Sequence, residues 1–216
     1  SKGMMVDQKW GELIKKYMDY APYGLICVRV GHESNGNPRC SHMNTGETGL
    51  LQVWCGGEFK KGLGPMSRLG LQCQKKLPGF DPFDPSQNLW GGLADLNMRG
   101  YQLKISPQGK LFPVSDFQFW GCLMVQMNIG DGALAALLNA SNAREGQALT
   151  DLVEFVTQIG SGLEDYRARF GSQSAESVAR RVLVVPYWIK AAEQIGAIES
   201  VNLTKFGYNK MPKFVA

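Results

Sequence analysis

Helical spacing recurs along this chain, and strand alternation is scarce. Trp10, Leu13, Ile14, Tyr17 and Met18 stand at i, i+3, i+4, i+7 and i+8. That is one face of an amphipathic helix, with Asp7 as a candidate N-cap. Asp84-Pro85 marks a cap and first turn, and Leu89, Leu93 and Leu96 then carry a helix to about Met98. Asp116 is placed to cap "FQFWGCLMVQM"; a break at Asn128 to Gly132 precedes the helical "ALAALLNA". Thr150 to Ile159 reads as helix, Ser161-Gly-Leu-Glu164 fits a capping box, and Pro186 should split the pattern from Ser174 to Ile195. The expectation is a mainly α fold with little β structure.

The chain of 216 residues shows no internal repeat and no linker, so it reads as one domain over residues 1–216. Its motif-bearing core spans about 25–140, followed by C-terminal helices and a tail over 150–216. The tail from Phe206 to Ala216 carries lysines and is either loose or wrapped on the surface. Two stretches depart from the helical pattern. Residues 34–48 read as loop, and 55–87 read as mostly irregular, rich in Gly and Pro. A loop region that long inside a domain is often functional, for example as the wall of a binding cleft.

Composition excludes several classes. No apolar run reaches the ~20 residues of a membrane span. The N-terminal "SKGMMVDQKW" lacks the apolar core of a signal peptide. A net charge of +4 favours an anionic partner mildly, but no basic run with interleaved aromatics supports nucleic acid. The five cysteines include no C-x-x-C pair, which argues against a zinc ribbon; their odd number leaves at least one free thiol unless it bonds another chain, one or two disulfides stay open, and small buried hydrophobes are the preferred reading. "HESNG" lacks the second histidine of H-E-x-x-H, and no phosphate-binding G-x-x-x-x-G-K-[ST] occurs. His32, His42 and Cys40 match no recognised metal spacing. No metal and no cofactor is expected.

The chemistry concentrates at "LICVRVGHES". Glu33 follows an apolar run, Leu25, Ile26, Val28 and Val30, whose β-branched residues suit strand or helix. A second apolar patch, Leu50-Leu51 with Val53-Trp54, comes soon after the loop. Folded over the end of the first element, it would desolvate Glu33 and raise its pKa. The alternative is a solvated carboxylate at an element's end, as for most acidic residues.

"HESNGNP", "GETGLLQVW", "FDPFDPSQNLWGGLADL" and "QMNIGDGAL" occur in that order. Together they resemble the soluble lytic transglycosylases, lysozyme-like enzymes that cleave the glycan strands of peptidoglycan. The family's Glu-Ser corresponds to Glu33-Ser34, and its Gly-Leu-Met-Gln to Gly49-Leu50-Leu51-Gln52. Its Asp-Pro…Asn-Leu…Gly helix corresponds to Asp84-Pro85…Asn88-Leu89…Gly92, and its Ala-Tyr-Asn-Ala-Gly to Gln126-Met127-Asn128-Ile129-Gly130. The resemblance implies a lysozyme-like fold with a long saccharide-binding cleft. It makes "LICVRV" a helix with Glu33 at its end.

It also implies that Glu33 is general acid and then base, breaking the bond between N-acetylmuramic acid and N-acetylglucosamine to leave a 1,6-anhydro end. Ser34, Gln52 and Asn128 would bind near the acid or the sugar. The alternatives are a helix-end hydroxyl for Ser34 and a turn residue for Asn128. Met127 replaces the family's tyrosine, and Tyr187 or Tyr101 is a candidate to supply the hydroxyl instead.

Two other readings stand beside this one. A goose-type lysozyme would hydrolyse with Glu47 holding the water, whereas Asp95 and Asp131 read as solvated. A non-catalytic glycan-binding module would keep the fold without the reaction. The expected partner is the peptidoglycan glycan strand. The expected setting is extracytoplasmic, in periplasm or cell wall or within a secretion machine, or in a phage particle.

Overall fold

The structure, a computed structural model, describes residues 1–42, 46–54, 67–105, 116–141, 151–199, 202–208 and 210–216. It is mainly α. Helix α1 is Lys2–Lys15 and α2 is Tyr23–Ser34. A two-stranded antiparallel hairpin follows, β1 Glu47–Thr48 with β2 Val53–Trp54, in the register Glu47 to Trp54 and Thr48 to Val53. Then come α3 Arg68–Lys76, α4 Pro85–Ile105, α5 Asp116–Ile129 and α6 Asp131–Ala140. The C-terminal part adds α7 Leu152–Ile159, a 3-10 turn Gly160–Gly162, α8 Leu163–Phe170, α9 Ser172–Val182 and α10 Val185–Ile195. Among the described residues no helix is long and apolar enough to cross a membrane.

Helix α2 runs through the centre, packed between α1 and α10. Leu25, Ile26, Cys27, Val28 and Val30 are all buried. Burial on every side overrides their β propensity, because tertiary packing outweighs a preference worth under ~1 kcal/mol per residue. Gly24 permits the contact with α10: a Cβ there would lie 2.2 Å from the Ala192 carbonyl oxygen. The helix ends at Asn35, whose φ of 53° is left-handed, and this turns the chain sharply after Glu33 and Ser34.

Several expected boundaries move. Helix α1 starts at Lys2, capped by the Ser1 hydroxyl, which accepts from Met4 N at 3.2 Å. Asp7 therefore sits within the helix, where it accepts a hydrogen bond from the Tyr23 hydroxyl. Within 55–87, expected to be irregular, Ser67 caps α3 by accepting from Gly70 N at 3.0 Å; residues 55–66 lie outside the described residues. Asp84 caps α4 as its sequence suggests, accepting from Gln87 N at 2.9 Å, but the helix runs on to Ile105.

The capping box at Ser161 does not form. Ser161 donates instead to Gln158 O at 2.6 Å, because α7 winds directly into the 3-10 turn. Pro186 does split the last helical pattern, sitting in the first turn of α10. The tail wraps the surface: Phe206 is buried against the rings of Tyr20, Phe119 and Trp120. Further along, Trp90 Nε1 donates to Pro212 O at 2.7 Å.

Candidate active site

The C-terminal end of α2 opens onto a cavity of about 130 Å³, space for several waters or a small polar group. Its polar lining is Arg29 and Glu33 from α2, Glu47 and Gln52 from the hairpin, and Asp95 and Arg99 from α4. Its apolar lining includes Leu25, Leu51, Leu123 and Met127. The hairpin and α4 meet here because one buried amide joins them. Asn88 of α4 donates to Thr48 O and to Pro82 O, each at 2.7 Å, and accepts from Leu51 N at 2.8 Å. The tight turn between β1 and β2 fits over α4 only with Gly49 and Gly92 in place. A Cβ on Gly49, at φ 81°, would lie 2.2 Å from Asn88 Nδ2, and one on Gly92 would lie 2.4 Å from Leu51 Cδ1.

Glu33 keeps only 23% of its side chain exposed. Burial pushes its carboxyl pKa up; the Arg29 guanidinium pulls it down, Glu47 pushes up, Arg99 pulls down and Asp95 pushes up. The balance is upward, so Glu33 holds its proton to higher pH than an exposed glutamate. Arg29, one turn earlier, donates from Nη2 to Glu33 Oε1 and from Nη1 to Asn128 Oδ1 at 3.1 Å. The pair is 9% and 23% exposed, unlike a surface ion pair. A half-buried carboxyl with a raised pKa, lining a small cavity together with a second carboxylate, can donate a proton and afterwards recover one.

The candidate residues fall into two groups. Glu33, Glu47 and Gln52 share the cavity. Gln52, at φ 50°, also donates from Nε2 to Cys40 O at 3.0 Å and Gly49 O at 2.9 Å, which fixes the hairpin turn. Ser34 is buried and donates to Val30 O at 3.0 Å, so its hydroxyl serves the helix end. Asn128 braces Arg29 and donates to Arg181 O at 3.0 Å, joining α5 to α2 and α9. Tyr187 is 75% exposed and Tyr101 is partly buried against the core; neither lines the cavity. Met127 lines the cavity, so a thioether stands where the resembling family has a phenol.

Arg29 and Arg99 also line the cavity without a sequence motif to mark them, and Asp95, which reads as solvated in the sequence, lines it while staying partly exposed. The available signal was the i, i+4 spacing of Arg29 with Glu33 and of Asp95 with Arg99, each of which forms an ion pair.

His32 packs against Trp188 with ring centroids 4.0 Å apart. Among the described residues no group of His, Cys, Asp and Glu is arranged to hold a metal ion. Cys27, Cys73 and Cys122 are buried free thiols whose pKa values burial pushes to about 11, 12 and 12. Comparison of the sequence with protein-family models and with curated proteins finds no match.

Proposed function

We propose that the protein is a peptidoglycan-cleaving lytic transglycosylase of lysozyme-like fold, with Glu33 as its single general acid and base. The observation that carries this reading is the placement of Glu33 at the end of α2, with 23% of its side chain exposed and lining the cavity, where burial pushes its pKa up. Support also comes from the convergence of four separated segments around that cavity: the end of α2, the hairpin turn, Asn88 to Gly92 of α4, and Met127-Asn128.

In the first step protonated Glu33 gives its proton to the glycosidic oxygen. The C1–O bond breaks, and its electron pair stays with the leaving N-acetylglucosamine oxygen. The positive charge developing at C1 of the muramyl residue is met by the substrate's own acetamido oxygen. In the second step the Glu33 carboxylate takes the proton of the muramyl 6-hydroxyl, whose oxygen bonds to C1. This leaves the 1,6-anhydro product, and Glu33 is again protonated. Such an enzyme acts on wall glycan in the periplasm, at the cell wall, or from a secretion machine or phage particle.

One observation favours a hydrolytic variant. Glu47 lines the same cavity and interacts electrostatically with Glu33. A water held by Glu47 and attacking C1 would give an ordinary reducing end.

Two measurements test the proposal. Wild type should clear a suspension of purified cell walls, and Glu33→Gln should lose about 10²–10⁴-fold in rate. Mass spectrometry of the products should show anhydro-muropeptides. Reducing ends would assign the hydrolytic variant, and no clearing by wild type would leave only glycan binding.

A further inference from the structure

Arg29 is the one charged residue of α2 buried to nine-tenths, with 8% of its surface exposed. Its guanidinium is fixed on three sides. Nη2 donates to Glu33 Oε1, Nη1 donates to Asn128 Oδ1 at 3.1 Å, and the group lies 5.8 Å from the centre of the Trp188 ring. Its Nε is buried with no hydrogen-bond partner among the described residues, so full satisfaction of the guanidinium is not what this site achieves. A buried ion pair contributes little net stability, and an apolar pair of similar volume would serve the core as well or better. Arg29 therefore calls for an explanation in the chemistry of its neighbour.

A carboxyl that acts alone must leave the acid step as a carboxylate and persist until it takes the second proton. Burial disfavours that anion. Glu47 from β1 and Asp95 from α4 add like charge, while Arg99 from α4 opposes them. Of the two cations acting on Glu33, Arg29 is the one in direct contact. We propose that Arg29 is the positioning residue of Glu33: its guanidinium, braced by Asn128, holds the conjugate base in place and stabilises it between the two proton transfers. The inference rests on Glu33 being the working acid of the proposed reaction.

The titration of Glu33 tests it without any substrate. Carbon-13 carboxyl-labelled glutamate is followed by NMR in the folded protein, and the Glu33 resonance is assigned by its loss in Glu33→Gln. Replacing Arg29 by Met or Gln should raise the Glu33 midpoint by about 1–3 pH units, the usual effect of an adjacent opposite charge. Gln keeps hydrogen-bonding capacity and is the variant to read if the Met variant does not fold. Arg29→Lys should restore the midpoint most of the way toward wild type. On cell walls, Arg29→Gln should lower kcat with KM unchanged and move the alkaline limb of the pH profile upward. Equal midpoints in wild type, Arg29→Gln and Arg29→Lys would overturn the inference. A shifted midpoint in a protein that cleaves no wall glycan would reject the proposed reaction and leave Arg29's hold on Glu33 standing.

Discussion

His32 and Glu33 are neighbours whose ionisation affects stability with opposite sign. Burial, with Arg29 and Lys2 adding to it, lowers the His32 pKa from 6.5 to about 4. The unfolded chain then binds more protons than the folded one between those values, so stability falls as pH drops from about 6.5 toward about 4. The His32 ring is covered on one side by Trp188 and open to water on the other, so solvent screening keeps this effect modest. His32→Gln should flatten Tm against pH in that window. For Glu33 the folded protein holds the proton more firmly than the unfolded chain. Its contribution is present below 4.5 and is lost as pH rises through the higher folded value. Glu33→Gln should therefore gain stability relative to wild type between pH 4 and pH 8 in urea denaturation. A gap that does not change with pH would contradict the raised pKa. The sequence exposed Glu33 as a candidate through its place after an apolar run. It gave no view of Arg29's burial, since an arginine between two valines is as compatible with an exposed edge.

At the scale of elements, two glycines on helices should respond in opposite ways. Gly24→Ala forces a Cβ to within 2.2 Å of the Ala192 carbonyl oxygen, so α2 and α10 must separate. The expected cost is about 1–3 kcal/mol, read from chemical denaturation. Gly132, in the first turn of α6, has nothing within 4 Å of an added Cβ. Gly132→Ala should be neutral or stabilise by up to about 1 kcal/mol. Asn88→Ala leaves Leu51 N and the Thr48 and Pro82 carbonyls without their partner. It should destabilise by about 2–3 kcal/mol and, under the proposed reaction, slow wall clearing, because Glu47 and Gln52 ride on the turn it holds. Caps were legible only where nothing competed. Asp84 caps α4 as its sequence suggests, whereas the Ser161 motif lost its role because the preceding helix continues through it.

For the molecule as a whole, the tail closes the fold. Pro212 O accepts from Trp90, Phe214 packs on the same indole at 5.8 Å, and Val215 N donates to the Tyr17 hydroxyl at 3.1 Å. Removing residues 211–216 should uncover Trp90, cost about 1–3 kcal/mol and red-shift tryptophan emission. The sequence by itself determined the mainly α class, most helix centres and the split at Pro186. Each of these follows from spacing or backbone chemistry within a few residues. Tertiary structure alone decided that "LICVRV" lies buried between α1 and α10, that the Ser34 and Asn128 polar groups serve the backbone and Arg29, and that Tyr187 faces solvent. It also decided that five charged groups from α2, β1 and α4 share one cavity. Those outcomes depend on which surfaces meet across tens of residues, and burial, not local pattern, sets the ionisation of the carboxyl at their centre.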